Sequence, residues 1–213
     1  MTTDHTKRRR ALAAAIRQLS NVFVTSDMAD ADLDAATKSL GDLARQFVAD
    51  DVVDRRKRRG RSFFNVPRVD DDPQEQSLFE DSGFSGRSNP MATNARFWVD
   101  NDVAHMVVIF DAVTEGAHDR VHGGVVAGLF DELVGAMISS LREPAFTVQL
   151  NVRFREGTPL GVPVEGTARI TGRDGRRISL TAEMHSGEHV VAEAEALFLT
   201  VNPEQFGGPG RHL

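Results

Sequence analysis

The sequence predicts an α+β fold in which an antiparallel sheet wraps a long central helix, preceded by a helical extension. Three observations carry this. Over residues 121–138, at about 100° per residue, Leu129, Leu133, Val126, Met137, Phe130, Val134, Ala127 and Ile138, with Leu141 beyond, spread across half of a helical wheel, and Val125 and Ala136 widen the arc. Only a narrow sector of Gly128, Gly135, Ser139 and Glu132 remains, with Asp131 on its edge, so this helix is covered on most sides. Downstream of it the apolar period changes from helical to two, and upstream, in the first fifty residues, it is helical again.

The elements follow in order. Residues 6–24 open with Lys7-Arg8-Arg9-Arg10 and place Leu12, Ala15, Ile16, Leu19, Val22 and Phe23 on one face of a helix, leaving the basic start to solvent. Ser26-Asp27 offers a cap for a second amphipathic helix over 30–52, with Leu33, Ala36, Leu40, Leu43 and Phe47 on its apolar side, and the two suggest a helical hairpin. A basic run, Arg55 to Arg61, and the acidic stretch Asp70 to Glu75 then read as linker, so residues 1–81 form an extension and 82–213 the main domain. Ala95–Val99 and Ala104–Phe110 pair as a hairpin across Asp100-Asn101-Asp102. A polar loop, 111–120, leads to His122 and the central helix. After that helix Phe146, Val148, Leu150, Val152 and Phe154 alternate with Thr147, Gln149, Asn151 and Arg153, which puts Thr147 on the polar face. Val164–Thr171 and Ile178–His185 pair across Asp174-Gly175, and a last strand spans 189–201.

Composition bounds the function. At 213 residues, 40% of them hydrophobic, the chain supports one sizeable core and an extension. Without cysteine it has no disulfide, thiolate metal site or Cys nucleophile. A net charge of −6 argues against wholesale nucleic-acid binding. No run approaches eighteen apolar residues and no signal-peptide core is seen, so no membrane is expected and the cytoplasm is the expected location. His105, His118, His185 and His189 lack ligand spacing, and no Gly-x-Ser-x-Gly occurs, so neither a metal nor a serine nucleophile is expected.

Chemistry concentrates at the two ends of the central helix. Gly123 and Gly124 open its first turn, where N–H groups lack partners and backbone can come close to an anion; Gly123 is the better candidate donor. Asp131 falls among Ala127, Gly128 and Gly135, where a substrate or an opposing chain can reach a carboxylate otherwise poorly placed in a core. His122 at the helix start suits orienting the loop and the glycines better than proton transfer.

His122-Gly123-Gly124, Asp131 nine positions after the histidine and Thr147 sixteen after the aspartate together resemble the hotdog-fold acyl-CoA thioesterases of the PaaI type. Ser85 to Ala92 is similar to the segment that leads into the first hotdog strand in related sequences, and the likeness covers residues 82–202. The resemblance implies a catalytic carboxylate at Asp131, with Thr147 orienting water or the carboxylate. It also implies a homodimer, or a dimer of dimers, with central helices antiparallel. Coenzyme A would enter only as part of the substrate, with no separate cofactor. Several members carry Asn or Gln where this chain has Gly116, so a second oxyanion donor is missing there. Thioester hydrolysis needs a base or nucleophile and donors for the developing oxyanion, roles open to Asp131 and the Gly123 N–H. Gly124 and Gly128 would border the substrate. Arg58, Arg59 and Arg61 would either bind the coenzyme phosphates or lie in a solvated loop. The alternatives are a non-catalytic acyl-CoA sensor that uses the basic extension on DNA or another partner, and a hotdog hydratase, whose Asp and His pair is not found.

Overall fold

A computed structural model describes residues 3–47, 80–141 and 143–201. Helices α1 (Thr3–Thr25) and α2 (Asp30–Gln46) come first, then β1 (Arg96–Asp100), β2 (Val103–Ile109), a short 3-10 turn (Ala112–Thr114) and helix α3 (Gly123–Ser140). Strands β3 (Ala145–Phe154), β4 (Pro163–Asp174), β5 (Arg177–Ser186) and β6 (His189–Thr200) follow among the described residues. All six strands join one antiparallel sheet in the order β1-β2-β4-β5-β6-β3, so β3 is an edge strand.

The sheet curls around α3, whose Val126, Leu129, Phe130, Leu133, Val134, Ala136, Met137 and Ile138 are buried. Small residues make this close fit possible: Ala168, Ala182 and Ala194 face one another across β4, β5 and β6 on the core side. At Gly166 of β4 a Cβ would come within 3.0 Å of the Leu133 side chain. Larger groups, among them Phe97, Met106, Phe110, Ile178 and Met184, fill the space around the helix. Although Asp131 and Glu132 interrupt its apolar residues, α3 is by length and mean hydropathy apolar enough to cross a bilayer, at 18 residues and 1.3. Here the sheet takes the place of lipid around it.

The extension departs from expectation in three ways. Helix α2 starts after Ala29 with no side-chain cap, so Ser26-Asp27 is not its cap, and it ends at Gln46. None of its residues is buried, so the packed hairpin is not seen, and Leu40, Leu43 and Phe47 stay open. Helix α1 is turned the other way from what its apolar stripe implied: Leu12, Ile16, Leu19 and Phe23 are exposed, while Ala13 is buried between polar neighbours. Arg9, Ala13 and Arg17 recur every four residues, so they share one side. That side docks on segment 80–93. Arg9 pairs with Asp81 at 2.6 Å, Arg10 grips both carboxylate oxygens of Glu80, and Arg17 donates to the Asn89 carbonyl at 2.8 Å. Two acidic side chains thus claim the arginines that the sequence left to solvent.

Burial pushes the Glu80 carboxyl up, but hydrogen bonds from Arg10 and Ser88 and the charges of Arg10 and Arg87 outweigh it, leaving the group below its ordinary value. A carboxyl more acidic when folded stabilises in full above its unfolded pKa, here from roughly pH 5 upward, and that contribution is lost as pH falls through the lowered value. Glu80→Gln at neutral pH is expected to lower hydrogen-exchange protection of α1 severalfold while leaving β4 to β6 unchanged. Acidifying the parent protein should loosen α1 in the same way, and equal protection in both proteins at neutral pH would deny Glu80 this role.

Candidate active site

The front of α3 is built from the loop before it. His122 N–H donates to the Thr114 carbonyl and Val121 N–H to that of Thr158, at 2.8 and 2.9 Å, which fixes the approach to the helix. His122 is the N-cap, and its Nδ1 accepts the Gly124 N–H at 3.0 Å. A ring nitrogen that accepts an amide carries no proton, so this contact orients the turn. It also means that the Gly124 N–H expected to border the substrate is already engaged. The Gly123 N–H meets no acceptor among the described residues, as befits the first helical position. Gly116 lies against His122, where a Cβ would come 2.7 Å from the histidine Cα, so the missing Asn or Gln has no room without moving the cap.

Two and a half turns further along, the Thr147 hydroxyl donates to Asp131 Oδ1 at 2.8 Å. A bulge in β3 makes this contact. The β3–β6 register slips between Thr147 and Gln149, and Val148 is left 51% exposed. Strict alternation puts Thr147 opposite Leu150, but the extra residue reverses the phase and brings its hydroxyl to the helix. Asp131 is exposed in the single chain, among the small residues that leave its carboxylate within reach of a substrate or an opposing chain. Around it, Gly124 is exposed, Ala127 and Gly135 are half-buried, and a Cβ at Gly135 would meet nothing within 4 Å.

The other side of the same sector is closed. Segment 80–93 crosses α3 and gives Glu132 two hydroxyl donors, Ser82 and Ser85, the latter at 2.6 Å. Both serines are buried, and a buried hydroxyl needs such a partner. Between them Phe84 lays its ring on Gly128, where a Cβ would be 2.7 Å from Cδ1. Gly128, expected at the substrate, therefore lies under this ring. Glu132, Ser82, Ser85 and Phe84 were not singled out for function from the sequence. One signal was there: a glutamate in a helix wrapped on most sides needs donors, and two serines three residues apart stand in the polar stretch upstream.

Arg58, Arg59 and Arg61 lie outside the described residues. Glu115, His118 and Asp119 do converge, with potential ligand atoms within 4.8 Å of one another. All three are exposed, and the Asp119 N–H donates to Glu115 at 2.7 Å within the loop's own turn.

Residues 118–193 match the family model of the thioesterase superfamily. A solved protein described as a thioesterase superfamily protein superposes with a TM-score of 0.72 at 22% identity, covering 90% of each chain. The E. coli PaaI protein of the phenylacetic acid degradation operon is 16% identical over 52% of this chain and 81% of its own, with a TM-score of 0.49. A hypothetical thioesterase of Streptococcus pneumoniae, crystallised with coenzyme A, is 14% identical over 51% and 87%, also at 0.49. The matched residues include His122, Gly123, Asp131 and Thr147, on a helix wrapped by an antiparallel sheet. The chain therefore has the hotdog fold, and its residues 118–193 are similar to the thioesterase superfamily.

Proposed function

We propose that the protein is an acyl-CoA thioesterase in which Asp131 acts on the reacting carbonyl and the Gly123 N–H receives its oxygen. The observation that carries this is the accessible Asp131 carboxylate held by the Thr147 hydroxyl at 2.8 Å. Hydrolysis adds water across the thioester: the acyl carbon gains an oxygen, the carbon–sulfur bond breaks and the thiol of coenzyme A leaves with a proton. Asp131 serves either by taking a proton from that water or by attacking the carbon first and being released by water. Both routes need an ionised, uncovered carboxylate. Thr147 fixes one oxygen and leaves the other for the reaction. His122 holds the turn so that the free N–H of Gly123 points out of the helix end, where a developing negative charge is favoured.

From Gly123 to Asp131 is eight residues, about 12 Å along the axis, too far for both to address one carbon. We therefore place each site between two chains, with Gly123 of one facing Asp131 of the other across antiparallel α3 helices. The small residues Gly124, Ala127 and Gly135 allow that approach, and β3 has an unpaired outer edge on which a second sheet can continue. The sensor reading is weakened by α1, because Arg9, Arg10 and Arg17 are engaged by Asp81, Glu80 and Asn89.

Asp131→Asn is expected to cut kcat on the best acyl-CoA substrate by at least about a hundredfold with KM little changed, and an unchanged kcat would remove Asp131 from the reaction. Thr147→Val should cost roughly tenfold in kcat, the equivalent of about 1.4 kcal/mol. An unchanged rate there would leave Thr147 a strand residue.

Gly123→Pro removes the N–H at a position where proline suits the helix, while Gly123→Ala retains it and asks only the exposed Phe154 ring to yield. The proline variant should be inactive and the alanine variant active. Refolding Gly123→Pro together with Asp131→Asn should restore roughly a quarter of parent activity, since half of randomly paired dimers are mixed and each holds one intact site. Mixed dimers without activity would refute the shared site.

A further inference from the structure

We propose that Phe84, carried by segment 80–93 ahead of the superfamily match, is a specificity-determining residue whose ring walls the acyl side of the site and limits the length of the acyl group. This rests on the thioesterase reading above. Three features place the ring there. It fills the space left by Gly128, and Asp131 is three residues further on, a neighbouring position on the same helix surface about 4.5 Å along the axis. Phe84 is 38% exposed, so part of its apolar surface is still uncovered. The wall is also uncharged, which suits a hydrocarbon group better than the phosphates of the coenzyme.

The ring is held so that it does not swing aside freely. Glu132 takes hydroxyls from Ser82 and Ser85 on either side of it. The Phe84 carbonyl accepts both the N–H and the hydroxyl of Thr93, at 3.0 and 2.8 Å. Gly86 closes the turn where a Cβ would come 2.6 Å from the Ser82 carbonyl oxygen, and Ser88 ties back to Glu80, which α1 grips in turn. A wall braced at so many points sets a sharp length limit, whereas a loose side chain would yield to a longer acyl group.

The test compares butanoyl-CoA and dodecanoyl-CoA as substrates of the parent, Phe84→Ala and Phe84→Leu. In parallel, calorimetry follows binding of S-ethyl and S-dodecyl coenzyme A, thioethers that have no cleavable thioester. Phe84→Ala should raise the dodecanoyl-to-butanoyl ratio of kcat/KM by about tenfold or more and tighten the dodecyl thioether relative to the ethyl one, and Phe84→Leu should move both in the same direction by less. Phe84→Leu keeps an apolar cover on Gly128 and carries the comparison alone if the alanine variant does not fold. A parent that hydrolyses acyl-CoA and variants whose ratios stay the same, or shift toward the short chain, would overturn the wall and leave the thioesterase reading standing. A parent that neither hydrolyses an acyl-CoA nor binds a thioether would overturn both.

Discussion

Glu132 is the constraint on which the arrangement around α3 depends. A carboxylate halfway along a helix buried on most of its surface has to be met by donors, or it would cost more than the surrounding apolar packing tolerates. Ser82 and Ser85 meet it, and this fixes where segment 80–93 crosses the helix. Once the segment is placed, Phe84 has only Gly128 to lie on, because a side chain at that position would occupy its volume. Glu80 and Asp81 at the start of the same segment then offer α1 its anchoring charges. One acidic side chain therefore organises, in succession, the cover of the central helix and the seat of the first one.

Two adjacent carboxylates on α3 meet opposite fates. Glu132 turns under segment 80–93 and is consumed by structural hydrogen bonds. Asp131, about 100° around the helix, emerges beside small residues and has a single hydroxyl partner from β3. That difference depends on a bulge at Val148 as much as on the helix. Without the extra residue, Thr147 would project from the other face of the sheet.

The architecture is legible in the sequence because both of its periods are strong. The wheel of α3 is apolar over most of its circumference, and the hairpin at Asp174-Gly175 and the alternation in β3 and β5 are local signals. The thioesterase spacing of His122, Asp131 and Thr147 is legible only through resemblance, since nothing in local periodicity joins residues on a helix and a later strand. Alternation misplaces Thr147 because Val148 is at home on either face, which hides the bulge. The direction of α1 is hidden for a related reason. Spacing reveals that a helix has two unlike faces, but the face that docks is decided by Glu80 and Asp81, far along the chain, and here it is the charged one. Hydroxyl contacts to Glu132 likewise have no period to betray them.

The interlock of Phe84 with Gly128 has a consequence for how such a sequence can drift. The two positions share one volume, although two strands, a short 3-10 turn and a loop separate them along the chain. Enlarging position 128 alone drives a side chain into the ring, and shrinking position 84 alone opens a hole over bare backbone. Paired exchange, a larger residue on the helix with a smaller one above it, preserves the fill and redraws the contour beside Asp131. The shape of that contour is thus free to diverge among proteins with the same central helix pattern and the same carboxylate, by trading bulk between two distant positions.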